Sequence, residues 1–464
     1  TLFRFIHVPN VFTLVKRPIK TVDLNGKPVP APILYLESKN TTSSDTDPVY
    51  VMFPGNPGVA EFYIETMRSV QQQAEGKIHV YTAGHAYHGL VIDDDKMEAY
   101  NRTSSQDASQ IHPQARNPGM SIQEDTDLSS LSLNNLSLPE LPPFDGDRVP
   151  HGIPLLNDVP VNWVTEPKND AVCSLREQIM FKLHCMCVLR ARHPNSKFIL
   201  AGNSMGGHLI MEVVRAVERM YVLKHYGEAE LKRYDQLNKL DVTDVETETD
   251  IGVQLEVPYF HAFMKDVKTE VTQVLFTPAE LKQWMSLIDD CPAPTTIPTG
   301  PGETAGFNVR AATHWLVQTQ MLMATVMRIV DTPNGSNFHL ITKFMPLIRI
   351  GLACISALPG FVKRALSALN ANPTTHPDVH ACIRLLVNMQ SMQNVVKLAS
   401  HEMEEIRSLD TRLLLRNGEK IVFYMVDGDG WAPMVYTDYL DRLSENWIKR
   451  GWPAHSVYVD QHGM

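Results

Sequence analysis

The stretch Lys197-Phe-Ile-Leu-Ala-Gly-Asn-Ser-Met-Gly206 decides how the rest of this chain is read. Phe198 to Ala201 is a short unbroken apolar run, the composition of a strand buried on both faces. Gly202 and Gly206 bracket Ser204 at the spacing Gly-x-Ser-x-Gly. Beyond Met205 the apolar residues Leu209, Ile210, Val213, Val214 and Val217 recur at helical spacing. A chain that passes from strand to helix through a serine must turn sharply. Small flanking residues permit that turn while the serine is held in a sparsely populated backbone region. The pattern predicts a strand over 197–201, a serine presented at the turn, and a helix from 205 to about 223. A tight turn without chemistry fits the same letters less well, because both the apolar strand and the amphipathic helix are in place.

Outward from this turn the same alternation repeats. Val49 to Phe53 reads as a buried strand running into Pro54-Gly-Asn-Pro-Gly58, with a helical pattern from about Ala60 to Gln73. Ile78 to Thr82 is a second strand, ending at Gly84-His-Ala-Tyr-His-Gly89. The helical period returns over Leu175 to Arg192 and stops at His193-Pro-Asn-Ser196. Gln318 to Val326, Lys420 to Val426 and Ser456 to Val459 read as further strands. Strands alternating with helices imply a mostly parallel sheet with helices on both faces, in one domain spanning 1–464. Two insertions interrupt it: 101–170, rich in Ser, Asn, Pro and Asp and expected to be partly disordered, and the charged, partly helical 224–306.

Composition removes several classes of function. A formal net charge of −10 and the lack of a basic, aromatic-interleaved stripe exclude a nucleic-acid groove. Cysteines 173, 185, 187, 291, 354 and 382 form no Cys-x-x-Cys pair, so reduced, buried thiols are expected, with no metal and no cofactor. Phe338 to Leu369 is largely apolar, broken by Pro346 and Pro359 and flanked by Lys343, Arg349, Lys363 and Arg364. Its longest uncharged run, Ile350 to Val362, is too short to span a bilayer. Two readings of it stand side by side: a pair of proline-kinked core helices, or a cap or hairpin that enters one lipid leaflet.

A serine hydroxyl is a poor nucleophile near neutral pH and needs a histidine base oriented by a carboxylate. With Gly-x-Ser-x-Gly on a strand–turn–helix, this is the α/β-hydrolase fold, in which serine, acid and histidine follow in that order along the chain. The acid is expected in Tyr424-Met-Val-Asp427-Gly-Asp429-Gly-Trp431, just past a strand, where Asp427 and Asp429 compete. After them only His455 and His462 remain; His455 precedes the last strand and His462 follows it, two residues before the end. No closing helix follows, so the C-terminus is expected to be truncated, leaving one face of the last strand partly uncovered. Oxyanion donors are expected from the backbone N–H of Met205, after the nucleophile, and of Asn56, in the loop after an early strand.

At these residues the chain resembles the lipid droplet-associated serine hydrolase family. The matching stretches are Phe53-Pro-Gly-Asn-Pro-Gly58 with Phe62-Tyr63, Tyr81-Thr-Ala-Gly-His-Ala-Tyr-His88, Gln178-Ile-x-x-Lys182 and Lys197 to Gly206. They continue with Thr325-Val-x-x-Ile-x-x-Thr-Pro-Asn-Gly335 and Tyr424 to Trp431. The resemblance implies hydrolysis of a lipid ester at a lipid droplet or endoplasmic reticulum surface, on the cytoplasmic face. It implies Ser204 as nucleophile and Asp429, rather than Asp427, as acid. It also places 338–369 where the family has its droplet-targeting region. Two positions depart from the family: Asn203 stands where a histidine is usual before the nucleophile, and the Pro-His-Ala-Phe-like string after the last strand is absent. His462 then neighbours the base without being it, and the histidine stays unassigned. The competing classes are a non-catalytic lipid-droplet coat or tether on a vestigial hydrolase fold, and a soluble esterase or peptidase with no membrane contact.

Overall fold

The computed structural model describes residues 15–22, 28–36, 38, 46–85, 91–92, 164–165, 174–239, 276–294, 307–343 except 328, 330 and 331, and 389–460 except 408, 450 and 452, with isolated positions between 350 and 362. An eight-stranded sheet runs through it: β1 (Val15–Val22), β2 (Pro28–Leu36), β3 (Val49–Phe53), β4 (His79–Ala83), β5 (Phe198–Asn203), β6 (Leu316–Leu322), β7 (Ile421–Val426) and β8 (Ser456–Asp460). The spatial order is β1-β2-β4-β3-β5-β6-β7-β8. Only β2 runs against its neighbours; β4 through β8 are parallel. This order, with one antiparallel strand near one edge, is the α/β-hydrolase arrangement.

The order changes direction at β3, which lies between β4 and β5. Loops leaving the carboxyl ends of strands at such a switch point diverge to opposite faces and open a crevice. β3 and β5 pair so that Phe53 faces Gly202. The Pro-Gly-Asn-Pro-Gly loop and the Ser204 turn are therefore neighbours by construction.

Side chains of β3 alternate between two cores, as a strand buried on both faces requires. Val49, Val51 and Phe53 join the larger cluster with helices α2 (Leu175–Arg192) and α3 (Met205–Tyr226). Tyr50 and Met52 join a smaller one against α1 (Ile64–Gln73) through Ile64 and Met67. Helix α3 is the central element, and every residue from Met205 to Leu223 is buried. Ser174 starts α2 with a reciprocal capping box to Glu177, and α4 (Glu228–Lys239) follows α3 after Gly227. Helix α5 (Met389–Glu405) and helix α6 (Met434–Lys449) complete the layers used below.

Several expectations shift. The strand expected over 318–326 ends at Leu322, because Met323 takes a positive φ of 45° and its N–H turns to the Tyr424 carbonyl. Ala324 and Val326 are buried beyond the strand instead of extending it. β1 and β2 had no reading in the sequence, since Pro28, Pro30 and Pro32 argue against a strand. At every second residue, their missing N–H groups fall along one edge, and β4 pairs β2 only from Ile33 to Leu36. Of insertion 101–170 only 164–165 are described, paired with 91–92. Of 224–306, residues 224–239 and 276–294 are described and largely helical, and α3 continues two residues past the expected start of that insertion, to Tyr226. Tyr424 and Tyr458 stack at 5.4 Å on the α1 side of the sheet, both exposed, and Val459 is exposed as well. Cys185, Cys187 and Cys291 are buried free thiols, and Cys354 is an exposed one.

Candidate active site

Ser204 sits where β5 becomes α3, with φ 49° and ψ −122°. For a residue with a Cβ this region costs on the order of 1–3 kcal/mol and persists only where the surroundings impose it. Three backbone contacts do so: the Ser204 N–H donates to the Leu322 carbonyl at 2.9 Å, and its carbonyl accepts from Gly207 at 3.0 Å and Thr325 at 3.2 Å. The flanking glycines are required by volume. A Cβ on Gly206 would lie 2.1 Å from the Phe53 carbonyl oxygen, and one on Gly202 would lie 2.4 Å from the Gly206 carbonyl carbon. The motif thus encodes the close passage of α3 over the end of β3. Ser204 itself is half-buried.

The loop after β3 lies against this turn, and a Cβ on Gly55 would stand 2.8 Å from Ser204 Cβ. Two backbone N–H groups at the crevice, those of Asn56 and Met205, have no hydrogen-bond partner among the described residues. They are the two expected oxyanion donors, and Met205 also opens a helix, whose first N–H groups are unpaired and carry partial positive charge.

Tyr63, which had no assigned role, joins loop and turn. Its hydroxyl accepts from the Gly55 N–H at 3.0 Å and donates to Asn203 Oδ1 at 3.0 Å. Burial pushes this phenol up to about 12, so it stays protonated and able to donate near neutral pH. Asn203 Nδ2 in turn donates to the Leu322 carbonyl at 3.4 Å. The position where the family usually has histidine therefore carries an amide that locks the turn to its neighbours.

The two acid candidates differ in exposure. Asp427 is exposed and Asp429 half-buried. Asp429 Oδ1 accepts from the Trp431 N–H at 2.8 Å, a short turn that sets the carboxyl direction and leaves its second oxygen for another donor. The Thr332-Pro-Asn-Gly335 string buttresses this loop: the Asn334 N–H donates to the Gly430 carbonyl at 3.0 Å, and Thr332 Oγ1 bridges the Ile329 carbonyl and the Gly335 N–H at 2.7 and 2.9 Å. Phe338 faces Trp431 with ring centroids 6.4 Å apart, bringing the start of the 338–369 segment to the acid loop. Residues 338–343 end a helix, Pro333–Lys343; Ile350 and Cys354 are exposed, and most of the rest of that segment lies outside the described residues.

His462 lies outside the described residues. His455 is buried before β8, its Nε2 2.9 Å from the Leu440 carbonyl oxygen and its ring against Phe423 and Trp447; burial lowers it to about 4. Among the described residues one group brings metal-ligand atoms together, Asp290, Cys291 and His314. It precedes β6, at the opposite end of the sheet from Ser204, and Arg190 already pairs with Asp290 at 2.6 Å. No helix among the described residues is long and apolar enough to cross a membrane.

The sequence profile of the lipid-droplet associated hydrolases matches residues 46–116 and 307–462. The chain is 26% identical over 158 residues to the lipid droplet-associated hydrolase of Gallus gallus, covering 33% of this chain and 46% of that protein, so the match spans about half the relative's length. Among solved structures, a lipase/esterase from Lactobacillus plantarum is 9% identical, with 97% of this chain and 90% of that one covered and a TM-score of 0.32. A thermophilic esterase from Thermogutta terrifontis is 10% identical, with 96% and 89% covered and a TM-score of 0.34. Over residues 46–116 and 307–462 the chain is therefore similar to the lipid-droplet associated hydrolases, and its strand order is that of an α/β-hydrolase.

Proposed function

We propose that this protein is a serine carboxylic-ester hydrolase that acts on lipid esters at a lipid droplet or endoplasmic reticulum surface. Ser204 Oγ loses its proton to the histidine base and attacks the ester carbonyl; the ester C–O bond breaks, the alcohol leaves with that proton, and water then hydrolyses the acyl-enzyme to release the carboxylic acid and restore the serine. The backbone N–H groups of Asn56 and Met205 donate hydrogen bonds to the developing oxyanion, a contribution of about 3–4 kcal/mol per donor in comparable sites. Asp429 orients the histidine base, which the reaction requires and which is not among the described residues. No metal or cofactor takes part. The observation that carries this reading is the strained Ser204 backbone, φ 49° and ψ −122°, held against a loop whose own N–H is unpaired. A structural turn has no use for such strain, whereas a nucleophile presented to substrate does.

Lipid-surface action draws its support from the similarity to the lipid-droplet associated hydrolases and from the proline-broken apolar segment 338–369 with its flanking cations. The test of the chemistry is labelling with a fluorophosphonate probe: the protein should be labelled at Ser204, and Ser204→Ala should lose both labelling and ester hydrolysis. Labelling that survives the substitution rejects the assignment. For the surface, a fluorescent fusion lacking 338–369 should become diffuse in lipid-loaded cells, and a deleted form that still coats droplets removes that part of the proposal.

A further inference from the structure

The loop after β3 is gripped from two sides by side chains that the proposed reaction does not use. Tyr63 grips it from the nucleophile side. From the other side comes helix α5, more than three hundred residues away in sequence. The Asn56 side-chain amide donates to the Val395 carbonyl at 2.9 Å and to Glu402 Oε1 at 3.1 Å. Val395 and Glu402 are two helical turns apart, so both face the loop from one side of α5.

A buried carboxyl here demands a reason, because Lys and Arg partners usually accompany one. Glu402 is 6% exposed, and among the described residues its carboxyl meets one polar partner, the Asn56 amide. Burial pushes it up to about 8, so near neutral pH it is largely the neutral acid. A neutral acid does not repel an oxyanion forming nearby, and it carries an O–H donor. Asn56 Oδ1 is buried without a hydrogen-bond partner among the described residues, the acceptor that such a donor suits.

We propose that Glu402 is a positioning residue: acting through the Asn56 side chain, it holds the 54–58 loop so that the Asn56 backbone N–H points at the oxyanion. Helix α5 is thereby part of the oxyanion machinery although none of its residues touches the substrate. This rests on the reading of Ser204 as nucleophile and Asn56 as donor.

The test uses the whole chain, with steady-state hydrolysis of p-nitrophenyl butyrate and fluorophosphonate labelling of Ser204. Glu402→Leu removes the acceptor, and Asn56→Ala removes the side chain while keeping the backbone donor. Each should lower kcat about ten-fold with KM little changed, because a misplaced donor weakens transition-state binding more than ground-state binding. The double variant should lose no more than the worse single one, since both break one link. Glu402→Gln, which keeps an acceptor for the amide, should recover most of the loss. If Glu402→Leu fails to fold, Asn56→Ala and Glu402→Gln carry the same comparison. Folded variants with unchanged kcat, or losses that multiply in the double variant, overturn this inference while labelled Ser204 keeps the hydrolase reading. Absence of Ser204 labelling in the unaltered protein overturns both.

Discussion

Helix α3 begins at the site and continues into a different kind of environment. At its first turn the close contacts are steric, Gly206 against the Phe53 carbonyl and Gly207 against Ala324, and no residue from Gly202 to Gly207 is charged. From Glu212 onward the same helix carries buried charge. Glu212 and Arg215 pair with each other, and Arg215 reaches Asp410 at 2.9 Å. Arg219 meets Asp235 of α4 in a two-bond fork at 2.7 and 2.8 Å. Glu218 takes Arg416 Nη2 at 2.6 Å, the Tyr234 hydroxyl at 2.7 Å and Asn417 Nδ2 at 3.0 Å. The first turn places one atom by excluding alternatives, at a local cost in strain. The body of the helix fixes which elements dock on it, because a buried charge tolerates few partners. One end is therefore sensitive in activity and the other in stability, and four measurements test that division.

The largest effect is expected at the acid loop. If Asp429 orients the base, Asp429→Asn should lower kcat by about 10⁴ with an unchanged melting temperature, whereas exposed Asp427→Asn should stay near the unaltered rate. Equal effects, or the reverse order, would reassign the acid. In the body of the helix, Glu218→Ala strands Arg416, which is buried with its Nη1 on Asn238 Oδ1. Breaking such a pair costs about 3–5 kcal/mol, to be read by urea unfolding. A loss below about 1 kcal/mol, the range of exposed pairs, would mean the network is solvated.

Tyr63→Phe probes the border between the two regimes. It leaves the Gly55 N–H and Asn203 Oδ1 short of a partner, each worth about 1–3 kcal/mol when buried. Both melting temperature and kcat should fall; a change in melting alone would confine the hydroxyl to a structural role. The smallest effect concerns pH. Glu402 titrates at about 8 in the folded protein against 4.5 for an ordinary glutamate, with burial the cause. Below pH 4.5 both folded and unfolded chains hold the proton. Between 4.5 and 8 only the unfolded chain releases it, so this stabilising difference is lost as pH rises and is gone above 8. Glu402→Gln cannot ionise, so its melting temperature relative to the unaltered protein should rise from pH 5 to pH 8. An offset that does not change with pH would show the carboxyl to be hydrated.

Much of this site is legible from local patterns. The strand at 49–53, the helix at 175–192 and the serine turn follow from apolar runs, punctuation and spacing, because each is decided by residues within a few positions of one another. Other elements are not legible for equally physical reasons. β1 and β2 contradict strand propensity, and only pairing at the sheet edge, where missing N–H groups are tolerated, makes the proline-rich β2 a strand. Helix α6 carries a plain helical stripe in Tyr436, Leu440, Leu443 and Trp447, a signal the sequence does contain.

The sequence by itself determined that a serine would sit on a sharp strand–helix turn beside a glycine-rich loop, since excluded volume and backbone sterics act over a handful of residues. The residues alone leave Asp427 and Asp429 level, and the family resemblance implies Asp429. In the folded chain Asp429 is half-buried and Asp427 open to solvent, a difference that no local pattern records. Only the tertiary structure decided that Tyr63 bridges loop and turn, that Asn334 braces the acid loop, and that Glu402 reaches Asn56. Those contacts join residues 140, 96 and 346 positions apart. Their pairing is set by which helices the sheet order brings together, and no local pattern records it.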